Sequence, residues 1–313
     1  MKSPLSQHPD PGLSVLHISD THLLGHDRLL WGSIDTAARL TALLERVVAS
    51  GERPAALVFT GDLADIGEVE AYRDLRDGVQ PFADALGAKV IWVMGNHDER
   101  QPFATTLLDE DSTTEALDRV YDIDGLRIIA LDTSVPGFHH GELSTAQHDW
   151  LKDILATPAA QGTLLAMHHP PIPTPIDMMG VIELDDQASL WQSIAGSDVR
   201  GILAGHLHYS TFAAYQGIPV SVAAAMCYNI DMVGPADTLL SGVDAGHSAS
   251  LVSVYPEQLV FSSLVAGDLP VVFAQAKARL DEFREWSPER RRAVFSDKLS
   301  EFNQGEQAAQ SGS

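Results

Sequence analysis

The chain has 313 residues and a formal net charge of −23, because 43 Asp and Glu oppose 20 Lys and Arg. This acidity argues against a nucleic-acid partner, which needs a basic stripe. It still allows a small anionic substrate, since bound cations would invert the local field. The single cysteine, Cys227, excludes an internal disulfide and a thiolate zinc cluster. With 45% apolar residues, the chain can bury one large α/β domain or two small ones.

The N-terminal residues 1–12 are polar and proline-rich, and we expect a disordered leader there. They lack the long apolar core of a signal peptide. No stretch of the sequence approaches the roughly 18 apolar residues of a membrane-spanning helix. A soluble, cytoplasmic protein is therefore expected.

The first half of the chain alternates between short apolar runs and helical patterns. Buried strands are predicted at 13–19, 55–60 and 89–94. Helices are predicted at 33–50 and at 67–87, the second broken or turned near Gly78 and Pro81. Strands that alternate with helices predict a doubly wound sheet, in which ligands sit beyond the carboxyl ends of the strands.

The second half adds further strands, so two facing sheets with helices outside are the expected packing. The predicted elements are a helix or cap loop at 101–116, hairpins at 119–131, 211–224 and 251–264, strands at 163–167 and 199–204, and helices at 144–155 and 185–196. Ser144 and Gln147 form a capping-box pattern at the start of the helix at 144–155. The proline-rich loop 170–180 is expected to lack regular structure and to border a pocket.

Polar side chains follow five of the predicted strands, whereas we expect no such groups at the other strand ends. They are Asp20 and His22 in SDTH, Asp62 in GDLAD, Asn96, His97 and Asp98 in GNHD, His168 in MHHPP, and His206 and His208 in GHLH. Each alone has an ordinary explanation, such as a turn residue at a strand end. Together they supply the Asp, Asn and His groups that hard to borderline metal ions take. The set therefore predicts one two-metal site.

In this order, DTH, GD, GNHD, HH and GHLH resemble the signature of the calcineurin-like metallophosphoesterase superfamily across residues 20–208. The resemblance implies an α/β fold, a four-layer α/β/β/α sandwich of two facing mixed sheets flanked by helices. It also implies iron and manganese ions, with zinc as the alternative. By the same resemblance one ion is held by Asp20, His22, Asp62 and His208, and the other by Asp62, Asn96, His168 and His206.

Such a pair of ions clamps a phosphate while a metal-bound hydroxide attacks in line. We expect His97 to protonate the leaving group, because it adjoins a ligand without being one. Asp98 is expected to orient or charge-balance a neighbouring imidazole. The residues expected to contact the substrate are Asn96, His97 and His208.

Within this superfamily, GDLADIG and VMGNHDE lack the two arginines typical of serine/threonine protein phosphatases. LHISDTHL, FTGDLAD, HHPP and GHLH are instead similar to the class III cyclic nucleotide phosphodiesterases. That resemblance implies hydrolysis of 3′,5′-cyclic AMP to AMP, and a homodimer. The alternatives are a phosphodiesterase acting mainly on 2′,3′-cyclic nucleotides or another diester, and a non-enzymatic scaffold. The intact set of seven ligand positions and His97 disfavours the scaffold.

We divide the chain into the leader, a catalytic domain at 13–270, and a C-terminal extension at 271–313. The extension is predicted to form one or two helices over 275–303, then a polar tail. The resemblance implies that it can associate with a membrane or envelope, peripherally. Acidic residues around the basic cluster 290–292 weaken such attraction, so a packing helix is favoured. His139 and His140 are expected at the site mouth, at a dimer face or in a solvated loop.

Overall fold

The computed structural model describes residues 7–267, 269–274 and 278–304. Pro11–Gly267 forms one compact unit, and the described residues before and after it belong to another. None of the described helices combines the length and apolarity that a bilayer span requires. The expected disorder of residues 1–6 and 305–313 lies outside the described residues.

The strands match the expected apolar runs closely. They are β1 Leu13–Ile18, β2 Ala56–Thr60, β3 Lys89–Val93, β4 Arg119–Ile123, β5 Leu126–Leu131, β6 Thr163–Met167, β7 Val199–Ala204, β8 Thr211–Tyr215, β9 Ile218–Val222, β10 Asn229–Ile230, β11 Gly242–Val243, β12 Ser248–Val254 and β13 Leu259–Val265. All three predicted hairpins are present as antiparallel pairs.

The helices lie between and after these strands. They are α1 Thr36–Ser50, α2 Val69–Leu86, α3 Arg100–Leu107, α4 Thr145–Leu155, α5 Gln187–Ile194, α6 Ala278–Glu285 and α7 Pro288–Arg291, with a π-helical turn at Arg292–Ser296. The capping box at Ser144 and Gln147 is formed as predicted. A 3-10 turn at Met179–Ile182 includes two residues of the proline-rich loop, so the expectation of no regular structure over 170–180 was wrong at its end. That turn begins beyond the last proline, where backbone N–H donors are available again.

Two mixed sheets form the centre of the unit Pro11–Gly267. The first has the order β13-β12-β1-β2-β3, and the second has the order β4-β5-β6-β7-β9-β8. Strands β1, β2 and β3 run parallel, as do β5, β6, β7 and β9. Parallel neighbours deliver their carboxyl ends to one edge of each sheet, which is where the polar motifs follow.

Three apolar clusters between the layers show the four-layer order. Leu16 and Phe59 of the first sheet pack with α1 to α3, for example against Leu44. Val15, on the opposite face of β1, packs between the sheets with residues such as Leu203. The remaining face of the second sheet packs against α4 and α5. Alternate residues of a strand point to opposite faces, and the expected α/β/β/α sandwich is confirmed.

Helix α2 corrects one prediction, because it runs without a break from Val69 to Leu86 with Pro81 inside it. Proline removes one backbone donor and costs about 3 kcal/mol or more inside a helix. The helix nevertheless buries Leu75, Val79 and Leu86 in the first-sheet core. Each such large apolar side chain contributes about 1.5–3 kcal/mol on burial, so packing outweighs the local propensity.

Candidate metal centre

The carboxyl ends of β1, β2 and β7 bring four predicted ligands together. Asp20, His22, Asp62 and His208 each present one ligand atom, and these atoms all lie within 4.8 Å of one another. All four side chains are buried. Backbone bonds hold the loops in place, for example from the His22 N–H to the Asp62 carbonyl at 2.9 Å. The first half of the predicted site is therefore assembled by the fold.

A second group adjoins the first through Asp62. His168 Nε2 lies 3.1 Å from Asn96 Oδ1 and 3.3 Å from Asp62 Oδ2. The same Asp62 oxygen lies 3.3 Å from His22 Nε2. One carboxylate oxygen thus faces both groups, which is the placement a bridging ligand needs.

Each of the four predicted histidine ligands has one ring nitrogen held by a protein acceptor. The donor–acceptor pairs are His22 Nδ1 to Asp65 Oδ1 at 2.9 Å, His168 Nδ1 to Thr60 O at 2.8 Å, His206 Nε2 to Ile182 O at 2.8 Å, and His208 Nδ1 to Tyr228 O at 3.0 Å. Metal-ligating histidines are oriented in this way, with the second nitrogen left for the ion. The donor set fits two hard to borderline cations.

The rings of His206 and His169 are tilted by 54° to each other with centroids 4.4 Å apart, and they differ in the nitrogens left free for a ligand. The bond from His206 to Ile182 leaves Nδ1 of that ring for a ligand. Both nitrogens of His169 are engaged, with Thr133 Oγ1 at 2.8 Å and His139 O at 3.0 Å. His169 therefore supports the neighbouring loop, whereas His168 has its Nδ1 bound to the Thr60 carbonyl and its Nε2 directed at Asn96 and Asp62.

Charge in the cluster is balanced between carboxylates and imidazoles. Burial raises the pKa of Asp62, but the His168 and His22 rings outweigh it and hold that pKa well below its usual range. Burial lowers the pKa of His168, yet the Asp62 carboxylate dominates and raises it to about 9. Buried carboxylates that hold their charge need cationic partners, which is the electrostatic requirement of a cation site.

The backbone around the cluster is strained at the motif residues. Five of the seven predicted ligands have positive φ, namely Asp20 (52°), His22 (44°), Asp62 (50°), His206 (71°) and His208 (53°). Such conformations are uncommon outside glycine and persist where the surrounding structure enforces them, often at functional sites.

Gly205 allows the loop after β7 to approach the loop after β1. A Cβ atom at this position would lie 1.9 Å from Ser19 Oγ and 2.6 Å from Asp20 Oδ2. Ser19 cannot easily move away, because it is buried and donates to the Thr60 carbonyl at 3.1 Å. The glycine of GHLH is thus required by this close approach.

We expect Gly205→Ala to lower the melting temperature by about 3–10 °C, because overpacking a core costs about 1–3 kcal/mol. It should also displace Asp20 and so reduce the amount of metal that the protein binds. The matched control is Gly180→Ala, since a Cβ there meets no atom within 4 Å. Calorimetry and metal analysis on both variants provide the measurement. Equal melting temperatures in the two variants would contradict the packing argument.

His97 lies at the rim of the cluster and is half-buried. Its ring centroid is 4.7 Å from that of His22, and its Nδ1 donates to the Asp65 carbonyl at 2.8 Å. Burial lowers the pKa of His97 against the pull of the Asp62 carboxylate. The bond to Asp65 leaves Nε2 as the nitrogen that can reach a bound substrate.

Asp98 does not have the role expected from the sequence. Its carboxylate accepts from the Leu63, Ala64 and Gly95 N–H groups and from the Tyr72 hydroxyl at 3.0 Å. Burial and the charge of Asp62 raise its pKa to about 7. The residue that orients an imidazole is Asp65, which lies three positions beyond Asp62 and was missed. Asp98 instead ties the loop after β2 to the loop after β3.

The end of β5 carries an acidic residue, although no Asp, Asn or His was expected there from the sequence. Asp132 follows β5 and is buried. It binds Arg100 Nε at 2.9 Å and accepts from the Ser134 N–H and hydroxyl. This carboxylate fixes the loop 133–141 and its partner Arg100, and it has no place in the cluster. The expectation that the remaining strand ends lack acidic groups was therefore wrong.

The loop 133–141 delivers His139 to the site mouth. His139 Nδ1 lies 2.9 Å from Asn96 Nδ2, and its ring centroid lies 5.2 Å from that of His97. Of the three placements considered for His139 and His140, the structure places His139 at the site mouth. Sequence reasoning had no signal to separate these placements.

The α/β/β/α sandwich and the Asp, Asn and His cluster at its sheet edges define a metallophosphoesterase fold and site. The chain belongs to the calcineurin-like phosphoesterase family, whose sequence profile matches residues 13–210.

Two curated relatives extend the match. The chain is 56% identical over 262 residues to a cAMP/cGMP dual specificity phosphodiesterase of Mycobacterium tuberculosis, covering 84% of this chain and 82% of that one. It is 30% identical over 200 residues to a 3′,5′-cyclic adenosine monophosphate phosphodiesterase of Pseudomonas aeruginosa, covering 64% of this chain and 71% of that one. Among solved structures, a dimetal phosphatase from Danio rerio aligns with a TM-score of 0.58 at 15% identity, over 82% of this chain and 97% of that one. That last likeness concerns the fold.

Proposed function

We propose that this protein hydrolyses 3′,5′-cyclic nucleotides, and cyclic AMP to AMP in particular, at a two-metal centre. The observation that carries the proposal is the placement of Asp62. Its Oδ2 atom lies 3.3 Å from His22 Nε2 in one ligand group and 3.3 Å from His168 Nε2 in the other. Similarity to cyclic nucleotide phosphodiesterases over most of the chain supports the substrate class. Because a fold hosts many substrates, the substrate is tested separately from the chemistry.

In this proposal one ion is held by Asp20, His22, Asp62 and His208, and the other by Asp62, Asn96, His168 and His206. The geometry of the ring nitrogens supports both sets. Iron and manganese suit the mixture of carboxylate, amide and imidazole donors, with zinc as the alternative. When bound, such a pair of ions neutralises phosphate charge and makes hydroxide available near neutral pH.

The residues at the rim then position and protonate the substrate. In this proposal Asn96, His97 and His208 hold the phosphate oxygens. Water loses a proton to solvent, its oxygen forms a bond to phosphorus, and the bond between phosphorus and the 3′ oxygen breaks. His97 in its imidazolium form gives the departing 3′ oxygen the proton on Nε2, while Nδ1–H stays bound to the Asp65 carbonyl. The product is a nucleoside 5′-monophosphate.

A turnover panel on manganese-loaded protein tests this proposal. The substrates are 3′,5′-cyclic AMP, 2′,3′-cyclic AMP, a linear bis-aryl phosphodiester and an aryl phosphomonoester, each with an EDTA control. We expect the 3′,5′-cyclic diester to have the highest kcat/KM among the nucleotides, and EDTA to abolish all turnover. Turnover of the linear diester alone would overturn the cyclic nucleotide assignment and keep the two-metal chemistry. A preference for the 2′,3′-cyclic diester would favour the alternative substrate.

The resemblance to class III enzymes also supports a homodimer. We include it in the proposal together with the cytoplasmic location expected from the sequence. Peripheral attachment to a membrane through the C-terminal residues is the alternative location. Val271, Val272 and Phe273 are each at least 80% exposed, which provides an apolar segment for either contact.

A further inference from the structure

Trp31 combines a solvent-exposed side chain with a backbone conformation that is unfavourable for a bulky residue. Its side chain is 78% exposed, and its backbone has a φ of 53°. The surrounding turn is closed by bonds from the Gly32 N–H to the Leu29 carbonyl and from the Ile34 N–H to the Leu30 carbonyl. A bulky residue rarely adopts positive φ. Retained strain at an exposed aromatic residue points to a use outside the core.

One face of this tryptophan borders a cleft of about 510 Å³, which we call the Trp31 cleft. Its apolar lining consists of Trp31, Ile34, Tyr228, Ile230, Leu240 and Val243. The volume lies within the range of small-molecule sites. The cleft is preformed at its base, because a Cβ on Gly242 would lie 2.9 Å from Tyr228 Cδ2, so a glycine is needed for the ring to lie there.

Tyr228 connects the cleft to the metal centre. Its carbonyl accepts from His208 Nδ1 at 3.0 Å. Its ring centroid lies 4.7 Å from that of His208 and 6.4 Å from that of His22. Tyr228 thus lines the cleft and also contacts His208 of the cluster, so the cleft and the metal centre adjoin each other at this residue.

The chemistry of the lining selects a neutral, flat group. Asp244 is the charged member of the lining that the structure describes, and it is bound by Arg39 at 2.6 Å and His247 at 3.0 Å. With a paired carboxylate as its charge, the cleft does not attract the phosphate itself. Two aromatic side chains offer faces for stacking, which every nucleobase can use.

Building on the proposed function, we infer that the Trp31 cleft binds the base of the nucleotide substrate, which stacks on Trp31 and Tyr228 while its phosphate occupies the metal centre. Trp31 is then a residue that determines substrate affinity and takes no part in bond breaking. Contacts of this kind are made equally in the ground state and the transition state, so they lower KM and leave kcat unchanged.

The test compares three variants of the manganese-loaded protein. Trp31→Ala removes the stacking face, and Trp31→Phe keeps an aromatic ring. The matched control is Phe138→Ala, which removes another exposed aromatic ring, 59% exposed on the loop 133–141 near His139. Steady-state kinetics on 3′,5′-cyclic AMP gives kcat and KM. Quenching of tryptophan fluorescence by AMP, compared with inorganic phosphate, reports binding directly.

We expect Trp31→Ala to raise KM about tenfold with kcat within about twofold, from the energy of one stacked base. Trp31→Phe and Phe138→Ala should remain near the parent. AMP should quench the parent and not Trp31→Ala, and phosphate should quench neither. An unchanged KM in Trp31→Ala, or an equal rise in Phe138→Ala, overturns the inference. A parent that hydrolyses no cyclic nucleotide contradicts the proposed function itself, so the two failures are distinguishable.

Discussion

Replacement of Asn96 by alanine is expected to reduce turnover of 3′,5′-cyclic AMP about a thousandfold and to remove one of two bound metal equivalents. Asn96 Oδ1 lies 3.1 Å from His168 Nε2, and that nitrogen lies 3.3 Å from the Asp62 oxygen that also faces the first group. Without the amide oxygen, the second ion loses a ligand at the site mouth. One metal ion contributes several kcal/mol of charge stabilisation in the transition state, and each 1.36 kcal/mol is tenfold in rate.

Metal analysis and circular dichroism separate this loss from unfolding. The Asn96 side chain is half-buried and belongs to no apolar cluster, so Asn96→Ala should keep its helix and strand content. The matched variant Asn96→Asp keeps an oxygen in place and should retain both metal equivalents. Full turnover in Asn96→Ala, or two retained equivalents, would remove this residue from the proposed ligand set.

The second large effect is expected from His97→Ala, and it depends on the leaving group. Turnover of 3′,5′-cyclic AMP should fall about 10²–10⁴-fold, the range that general acid catalysis contributes. Turnover of a bis-nitrophenyl diester should fall less than about tenfold, because nitrophenolate leaves without protonation. The rim position of His97 and its bond to the Asp65 carbonyl place Nε2 for this transfer.

The ratio of the two losses is the measured quantity, and it is compared with His148→Ala. His148 is bound to Ser193 Oγ at 2.9 Å between α4 and α5, so its removal changes a histidine away from the cluster. His148→Ala should leave both rates near the parent values. If His97→Ala lowers both rates by the same factor, then the ring positions the phosphate and does not protonate the leaving group.

In the proposed function, the Trp31 cleft and the metal centre bind different parts of the substrate. The cluster of buried carboxylates and imidazoles binds the charged phosphate and supports its chemistry, whereas the apolar cleft holds the uncharged base. Tyr228 belongs to both, since its carbonyl orients His208 and its ring lines the cleft. Because the Tyr228 ring also packs against the His208 ring, with centroids 4.7 Å apart, a substitution at Tyr228 would alter both metal binding and substrate affinity. Trp31 is therefore the cleaner probe of the cleft.

The amino-acid sequence by itself determined the strands, the sandwich architecture and the candidate ligand set. Short apolar runs bounded by turn residues predict buried strands, and β1, β2, β3, β6 and β7 lie where those runs are. Polar motifs that directly follow the strands must then meet at the sheet edge, because parallel neighbours end together. The strand pattern and the sheet topology together place residues that are far apart in the chain in one cluster, as the structure shows for Asp20, His22, Asp62 and His208.

The tertiary structure alone decided which groups support those ligands. The backbone carbonyls of Thr60, Ile182 and Tyr228 orient three of the imidazoles. Because every residue carries a carbonyl, the sequence cannot indicate which ones take this role. Asp65 rather than Asp98 orients His22, because loop geometry and not sequence adjacency sets which carboxylate reaches the ring.

The Trp31 cleft and the unbroken helix α2 were likewise decided by tertiary contacts and not by the local sequence. Trp31 and Tyr228 are nearly two hundred positions apart and become neighbours of one cavity only through the folded loops. Pro81 remains inside α2 because the burial of one helix face outweighs a lost hydrogen bond. Both depend on contacts between distant segments, whose energies exceed the local preferences that a sequence pattern records.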